Sequence, residues 1–393
     1  MFKLSKKIEY LILSLALCIG VLSTALASPL YPIYLQSWNI STTEIGYAFI
    51  AYMIGVVFSL LFFNQFTNKY GFKKVVCIGL AICTIALLYS AISTNIIHLC
   101  ISRFIIGISS GLLSTSTVIG LSLKYPFTNV ASAGKITSLI TVFGFSLGPL
   151  IGGLVADHTA FPLAMPYYII AAFSSLILIL CFFIQYDHQI PLLIKKTKLW
   201  NIPQYNMNRL LFFPCAISAF CCFAVFSLYA ALSGQFLATL PIQQSATLTG
   251  ISISIILFIS AFTQYFFKEI KEATSLIVGL TTLLIGCLSL ISSQILQHSS
   301  LLIVSILVIG FGHGLTLNPA YFIVSKITQT ESPAIFSTFL LIAYQGTIWP
   351  ILISSILIDY FGVTTSLIIF SLIILISALW VFKHIKIIQL QEA

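Results

Sequence analysis

The chain has 393 residues, of which 59% are hydrophobic and only 7% charged, and its mean hydropathy is +1.09. A soluble domain is roughly 25% charged, so this composition excludes an ordinary water-soluble protein and predicts an all-α integral membrane protein. The net charge of +9 comes from basic residues spread over many short segments, which argues against a nucleic-acid interface.

Twelve apolar segments are long enough to cross a bilayer as helices, which takes about 20 residues each. Only the letters "STNI" separate the third segment from the fourth. In chain order the predicted spans are Tyr10–Leu35, Ile45–Phe66, Val75–Ile92, Ile97–Leu123, Ile136–Ala156, Leu163–Ile184, Leu210–Leu237, Leu248–Phe267, Ala273–Leu296, Leu301–Ile327, Ala334–Ile358 and Val363–Phe382.

Positive charge predicts the orientation of these spans. Seventeen of the 18 basic residues fall on one side when both chain ends are placed in the cytoplasm, the side that carries most Lys and Arg. We therefore expect a multi-pass protein of a cell inner membrane with cytoplasmic termini. The start of the chain also resembles a cleavable signal peptide ending at Ala25–Ala27. Its apolar run continues to Leu35, which favours a retained span.

The spans divide into two halves with a common plan. Residues 1–187 are predicted to form an N-terminal six-helix bundle, 188–208 a cytoplasmic linker, and 209–393 a C-terminal six-helix bundle. "IGISSGL" in the fourth span matches "IGFGHGL" in the tenth, and other matches keep nearly the same spacing: Pro149 with Pro350 and Asp157 with Asp359. Repeated halves are typical of secondary transporters, whose substrate site lies between them near the membrane midplane.

The loop after the second span, "NQFTNKYGFKKV", resembles the signature loop of the major facilitator superfamily. Its matching positions are Asn68, Lys69, Gly71, Lys73 and Lys74. The resemblance implies the major facilitator fold, with 12 transmembrane helices in two pseudo-symmetric six-helix bundles, and a cytoplasmic gating loop. Asn68 stands where the family has an acid, so a gate that relies on an ion pair at this position is not expected here.

The fifth span contains "GFSLGPLIGG", which matches the pattern Gly-x-x-x-Gly-Pro-x-x-Gly-Gly of the family's exporters at Gly144, Gly148, Pro149, Gly152 and Gly153. The resemblance implies a drug or metabolite antiporter. Glycines four residues apart let another helix approach closely, and a proline inside a helix bends it. The alternative is ordinary small-residue packing with no bearing on the direction of transport.

The fourth span contains "RFIIGISSG", which also resembles the family and carries Arg103. An arginine at membrane depth is costly and usually faces a cavity or a partner. Arg103 is therefore expected to hold an anionic substrate or to tune the affinity of a proton site.

No acidic residue lies in the middle of a predicted span, so two other groups are candidates for coupling transport to protons. Glu44 opens the second span, although "STTE" also predicts a capping box there. His313 lies about halfway along the tenth span, and histidine titrates near neutral pH. The alternative for His313 is a hydrogen-bonded packing role.

The family resemblance implies a substrate cavity lined by polar and aromatic residues of both halves. Tyrosine offers a ring together with a hydroxyl, so such a lining suits amphipathic organic molecules. The expected lining residues are Tyr31, Tyr34, Tyr52, Arg103, Tyr229, Gln235, His313, Asn318, Tyr344 and Gln345.

These observations predict a secondary active transporter that moves a small organic molecule by alternating access, and they favour a proton-coupled exporter. The alternative is an importer or facilitator of a small metabolite, which includes an anionic one. The sequence shows no catalytic cluster, metal-ligand spacing or nucleotide-binding loop, so neither an enzyme nor a cofactor is expected. The expected partners are the substrate, protons and the lipid bilayer, and the resemblance implies a functional monomer.

Overall fold

The computed structural model of the protein describes residues 4–63, 66–126, 131–185, 201–267, 269–332 and 334–385. The side chains of residues 68 and 131–135 lie outside the described part. Most of the predicted linker, residues 188–200, also lies outside it.

Across the described ranges the chain forms helices and no strands, as predicted. A short 3-10 helix, Ser28–Leu30, joins the first two α-helices. The α-helices are α1 (Lys6–Ala25), α2 (Tyr31–Trp38), α3 (Thr42–Phe62), α4 (Phe66–Tyr70), α5 (Phe72–Ala91), α6 (Ile96–Leu123), α7 (Ala131–Asp157), α8 (Met165–Phe182), α9 (Asn206–Ala238), α10 (Ala246–Phe266), α11 (Glu272–Leu296), α12 (Ser299–Thr330) and α13 (Ala334–His384).

The described part contains 11 continuous apolar segments long enough to span a membrane, and the last of them holds two spans. Helix α13 has 51 residues, which at about 1.5 Å per residue is more than twice the ~30 Å hydrocarbon core. Gly362 has non-helical dihedral angles (φ 80°, ψ 170°) and breaks the helix at that point. The break falls between the predicted eleventh and twelfth spans, so twelve crossings fit the structure.

The first predicted span, Tyr10–Leu35, is not one continuous helix. Helix α1 ends at Ala25, and the chain resumes as α2 after the 3-10 turn that contains Pro29. A proline lacks the amide hydrogen that a continuous helix needs at that position. The interruption places Tyr31 and Tyr34, both buried, on a short separate helix.

The described residues fall into two compact units. Unit 1 contains residues 4–40 and 47–185 together with Ser245–Ser254, and unit 2 contains Ser41–Gly46 together with residues 201–244 and 255–385. The units therefore differ from the predicted sequence halves by two short segments at the starts of α3 and α10. The predicted halves remain a hypothesis about how the chain is built.

The glycines of the fifth-span motif pack helix α7 against α1 inside unit 1. A Cβ atom on Gly148 would lie 2.6 Å from the carbonyl oxygen of Leu22, and one on Gly152 would lie 2.4 Å from that of Leu26. On Gly144 it would lie 2.3 Å from a methyl carbon of Val21. These three positions form one stripe along α7 where only glycine allows the observed approach.

The same end of α7 also contacts the beginning of α10. A Cβ atom on Gly153 would lie 2.2 Å from the carbonyl oxygen of Ala246, and one on Gly250 would lie 2.2 Å from that of Pro149. The Asp157 carboxylate then accepts hydrogen bonds from the backbone amides of Ala246 (3.1 Å) and Thr247 (2.7 Å). The last residue of α7 thus caps the first turn of α10, where amides lack helical partners.

Unit 2 contains a corresponding contact between α13 and the beginning of α3. The Asp359 carboxylate accepts hydrogen bonds from the amides of Thr42 (2.9 Å) and Thr43 (2.8 Å), and from the Thr43 hydroxyl (2.6 Å). The sequence comparison had paired Asp157 with Asp359 by position. The structure shows that both carboxylates do the same thing, which is to cap the first turn of another helix.

Candidate functional site

A close crossing of α3 and α6 brings Tyr52 beside Arg103 in unit 1. A Cβ atom on Gly55 would lie 2.1 Å from the Phe104 carbonyl oxygen, and one on Gly107 would lie 2.1 Å from the Tyr52 carbonyl oxygen. Each clash would be with backbone, which cannot rotate away. The two glycines therefore fix the separation at which Arg103 meets the Tyr52 ring.

Gly107→Ala is expected to lower the free energy of unfolding by about 1–3 kcal/mol, the usual cost of overpacking a filled site. The new methyl group would meet the backbone of α3. The measurement is the thermal unfolding midpoint of the purified protein. Gly79→Ala is the matched control, because its Cβ would meet only side-chain carbons of Leu113 at 2.9 Å. Equal losses for the two variants would contradict the prediction.

The Arg103 side chain is completely enclosed, with 0% exposure. Its guanidinium carbon lies 4.9 Å from the centroid of the Tyr52 ring, a cation–π distance. Among the residues that the structure describes, none accepts a hydrogen bond from Nε, Nη1 or Nη2 of Arg103. A guanidinium offers five N–H donors, and none of those of Arg103 makes a well-formed hydrogen bond within the described part of the chain.

Three tyrosines complete the surroundings of Arg103. The Tyr34 hydroxyl donates a hydrogen bond to the Tyr167 hydroxyl at 3.2 Å. The Tyr31 hydroxyl is buried and has no hydrogen-bond partner among the described residues. Tyr31, Tyr34 and Tyr52 had been predicted for this site, whereas Tyr167 had not. Tyr167 lies 133 residues from Tyr34 in the chain, and no local spacing signals their pairing.

Unit 2 contains a second polar cluster, around His313. The Ser260 hydroxyl lies 2.8 Å from His313 Nδ1, and Gln264 Nε2 donates to the same hydroxyl at 3.1 Å. Either atom of the Ser260–His313 pair can be the donor, because the Ser260 oxygen has two acceptor sites besides its own proton. The Phe226 ring packs edge-on against the imidazole at a centroid distance of 6.0 Å. The imidazole of His313 is therefore part of a hydrogen-bonded chain that includes Ser260 and Gln264.

Other predicted lining residues of unit 2 have local partners. The Tyr229 hydroxyl lies 2.7 Å from that of Ser305, and the Tyr344 ring stacks on Phe223 with centroids 5.5 Å apart. Gln345 accepts a hydrogen bond from the Trp349 indole, one turn later, at 2.8 Å. These contacts bind each side chain within its own helix or to a neighbouring one.

Three further candidates have different positions in unit 2. Gln235 donates a long hydrogen bond of 3.5 Å to the Thr42 hydroxyl, and Asn318 is half-buried on α12. The Glu44 carboxylate accepts from the Ser41 amide at 2.8 Å, while the Ser41 hydroxyl accepts from the Glu44 amide at 3.2 Å. Those two bonds are the capping box that "STTE" predicts. The Glu44 carboxylate therefore has a structural task.

The predicted gating loop lies in unit 1 at α4 and the start of α5. Lys73 Nζ donates to the carbonyl oxygens of Phe182 (2.9 Å) and Ile184, at the end of α8. A cation at the last carbonyls of a helix is a favourable arrangement. In the same loop, Lys69 Nζ lies 5.1 Å from the centroid of the Tyr70 ring. Gly71 has a φ of 81°, and Lys74 is exposed. The Asn68 side chain lies outside the described part.

The Major Facilitator Superfamily model matches residues 13–350. This chain belongs to the major facilitator superfamily. The family consists of membrane transporters and not of enzymes, as the sequence predicts. No group of three or more metal-ligating side chains occurs among the described residues of this transporter.

Two curated relatives of this superfamily member are similar over part of its length. The riboflavin transporter RibZ of Clostridioides difficile (strain 630) is 27% identical over 173 residues, or 42% of this chain and 38% of RibZ. The quinolone resistance protein NorA of Staphylococcus aureus (strain N315) is 27% identical over 166 residues, or 42% of each chain. The matched part therefore spans about two fifths of each relative.

Solved structures share the fold over nearly the whole chain. A bacterial homologue of the human lysosomal transporter Spinster, in an inward-facing and unoccupied conformation, has a TM-score of 0.77 at 13% identity and covers 98% of both chains. The nucleoside transporter NupG has a TM-score of 0.73 at 16% identity, with 97% of this chain and 99% of NupG covered. These likenesses confirm the predicted major facilitator fold.

Proposed function

We propose that this major facilitator protein is a proton-coupled exporter of a small amphipathic organic molecule. The observation that carries the proposal is the packing of the fifth-span motif in α7. Its glycines allow backbone contact with α1 on one stripe and with the start of α10 at Gly153. Helices that meet through glycine backbones have no interlocking side chains between them, so α7 can shift or bend at Pro149 during a transport cycle.

The names of the curated relatives agree with this proposal. One similar protein is called a quinolone resistance protein and another a riboflavin transporter, and both names refer to planar aromatic molecules. The tyrosines around Arg103 offer rings and hydroxyls to a ligand of that kind. We therefore propose planar aromatic molecules with a polar edge as the substrate class.

We further propose His313 as the residue that carries the coupled proton. It is buried within α12, and its ring is linked through Ser260 to Gln264. The acidic residues of the described helices lie at or near helix ends, so the imidazole is the best-placed titratable group at membrane depth. The protein is proposed to act as a monomer in the cytoplasmic membrane with both termini inside, on the strength of its charge distribution.

Proteoliposomes with an acidic lumen are expected to accumulate a fluoroquinolone or riboflavin through the purified protein, because protons that leave the lumen drive the substrate inward. Collapse of the pH gradient with nigericin should reduce the initial rate at least tenfold. The measurement is the fluorescence of the trapped substrate. A rate that is insensitive to the gradient would remove proton coupling from the proposal.

The role of His313 is tested in the same vesicles. His313→Gln should abolish the response to the gradient while leaving downhill movement of the substrate in place. His298→Gln is the matched control, since His298 is exposed and its Nδ1 also lies beside a serine hydroxyl, that of Ser300, at 2.7 Å. A gradient response that survives in His313→Gln would show that another group carries the proton.

The second candidate function is an importer or facilitator of an anionic metabolite. The partnerless guanidinium of Arg103 favours it, as does the position of the acids at helix ends. Transport that ignores the pH gradient but requires a negative charge on the substrate would select this function over the exporter.

A further inference from the structure

Arg103 is a buried charge whose polar partners are missing from the described part of the chain. The side chain is 0% exposed, and no residue that the structure describes accepts a well-formed hydrogen bond from its three nitrogen atoms. An enclosed cation without a counter-charge is strongly unfavourable. The protein keeps this arrangement in a region where a methionine or leucine would fill the same volume at no electrostatic cost.

The acids of unit 1 do not supply the missing charge. Within the described residues of that unit the acidic side chains are Glu9 and Asp157. Glu9 forms a buried ion pair with Lys124 at 3.0 Å and accepts from the Gln185 amide at 2.6 Å. Asp157 is occupied by the first turn of α10. The counter-charge of Arg103 must therefore come from outside the described part of unit 1.

The Tyr31 hydroxyl is a second unused group at the same place. It is buried, makes no well-formed hydrogen bond with the described residues, and lies beside the Arg103 guanidinium. The Tyr52 ring covers one face of the guanidinium. A cation–π contact uses the face of the planar group and leaves its N–H edges free. Those edges and the Tyr31 hydroxyl are the donors that an anion can use.

We propose that Arg103 and Tyr31 form the subsite for the carboxylate of an aromatic organic acid. Two parallel N–H groups of a guanidinium match the two oxygens of a carboxylate, and the Tyr31 hydroxyl supplies a third donor. The rings of Tyr34 and Tyr52 offer an aromatic wall for the body of the molecule. The proposal deepens the proposed function by naming the charge of the substrate, and it rests on that function.

The burial of Arg103 also determines in which conformation a ligand can enter this subsite. With 0% exposure the guanidinium touches no space large enough for a water molecule. A ligand can reach it only after the surrounding helices have moved apart. The subsite is therefore closed in the described conformation. A substrate that binds there favours a more open conformation.

Binding to the full-length protein in detergent, without any gradient, tests the subsite directly. The probe is naphthoate, and the comparison ligand is naphthamide, its neutral amide of the same shape. Naphthoate should bind at least tenfold more tightly than naphthamide to the unmodified protein. Arg103→Gln should make the two affinities equal, and Tyr31→Phe should reduce naphthoate binding several-fold. Arg103→Lys should keep part of the preference, because an ammonium retains the charge but lacks the fork.

The controls separate this subsite from general effects of charge or of a lost hydroxyl. Arg209→Gln removes the other arginine, whose Nε donates to the Pro203 carbonyl oxygen, and should leave the preference intact. Tyr321→Phe removes the hydroxyl of a tyrosine of unit 2 whose ring packs edge-on against Phe339 with centroids 5.2 Å apart, and should also leave it intact. Equal affinities in the unmodified protein, or a preference that persists in Arg103→Gln, overturns the proposal.

Two further outcomes are assigned in advance. Inorganic phosphate and chloride are tested as competitors of bound naphthoate. If either binds more tightly than naphthoate, the proposal of an organic carboxylate is overturned and the ligand is a small inorganic anion. Binding is measured without a gradient, so the two proposals can fail separately. If the preference for naphthoate depends on Arg103 but transport ignores the gradient, only the proton-coupled exporter is contradicted. If the gradient drives transport of neutral aromatic molecules and acids are not preferred, only the carboxylate subsite is contradicted.

Discussion

Arg103→Met is expected to raise the thermal unfolding midpoint of the ligand-free protein while reducing transport of aromatic acids at least tenfold. The substitution replaces an enclosed, uncompensated charge by an apolar side chain of similar length. Replacing buried ionic groups by well-packed apolar ones can stabilise a protein by roughly 1–4 kcal/mol. An increase of several degrees is therefore expected in the absence of ligand.

The matched variant is Arg209→Met. Arg209 is exposed, and its Nε donates to the Pro203 carbonyl oxygen at 2.6 Å. Loss of that bond should lower the free energy of unfolding by about 1 kcal/mol. The two arginines of the chain thus have opposite expected signs. A lower midpoint for Arg103→Met would mean that Arg103 stabilises the fold, and its interpretation as a ligand-binding group would fail.

The opposite signs express a general feature of binding sites. Groups kept for a ligand are often unfavourable when the ligand is absent, and their replacement then trades function for stability. For this reason the stability measurement is informative even before any substrate is known. It asks only whether the guanidinium is satisfied in the empty protein.

Much of the fold followed from local sequence signals. The twelve predicted spans follow runs of apolar residues, and the break at Gly362 falls between two of them, Ala334–Ile358 and Val363–Phe382. The capping box of Ser41 and Glu44 was predicted from a spacing of three residues. In each case the determining contacts lie within a few residues along the chain.

The parts of the site that were not predicted depend on contacts between distant residues. Tyr167 meets Tyr34 across 133 residues, and the first-turn amides capped by Asp359 are more than 300 residues away. Arg103 was singled out because an arginine at membrane depth is costly. The sequence does not show whether Glu9 or Asp157 pairs with Arg103. The structure shows that both carboxylates have other partners.

Asp157→Ala is expected to speed amide hydrogen exchange in the first turn of α10, and Asp359→Ala is expected to do so in the first turn of α3. Each carboxylate caps two backbone amides of a helix start, and loss of such a cap costs roughly 1–2 kcal/mol. A loss of that size corresponds to about tenfold faster exchange. Mass spectrometry of peptides that contain Thr43 and Thr247 measures both sites at once.

Glu44→Ala separates this effect from ordinary fraying. Its carboxylate bonds only to Ser41 within the same turn among the described residues, so its removal should accelerate exchange in α3 alone. In the double variant Asp157→Ala with Asp359→Ala, each helix start should exchange about tenfold faster, as in the single variants, because the two caps act on different amides. Unchanged exchange at Thr247 in Asp157→Ala, or at Thr43 in Asp359→Ala, would show that these hydrogen bonds do not hold the helix starts.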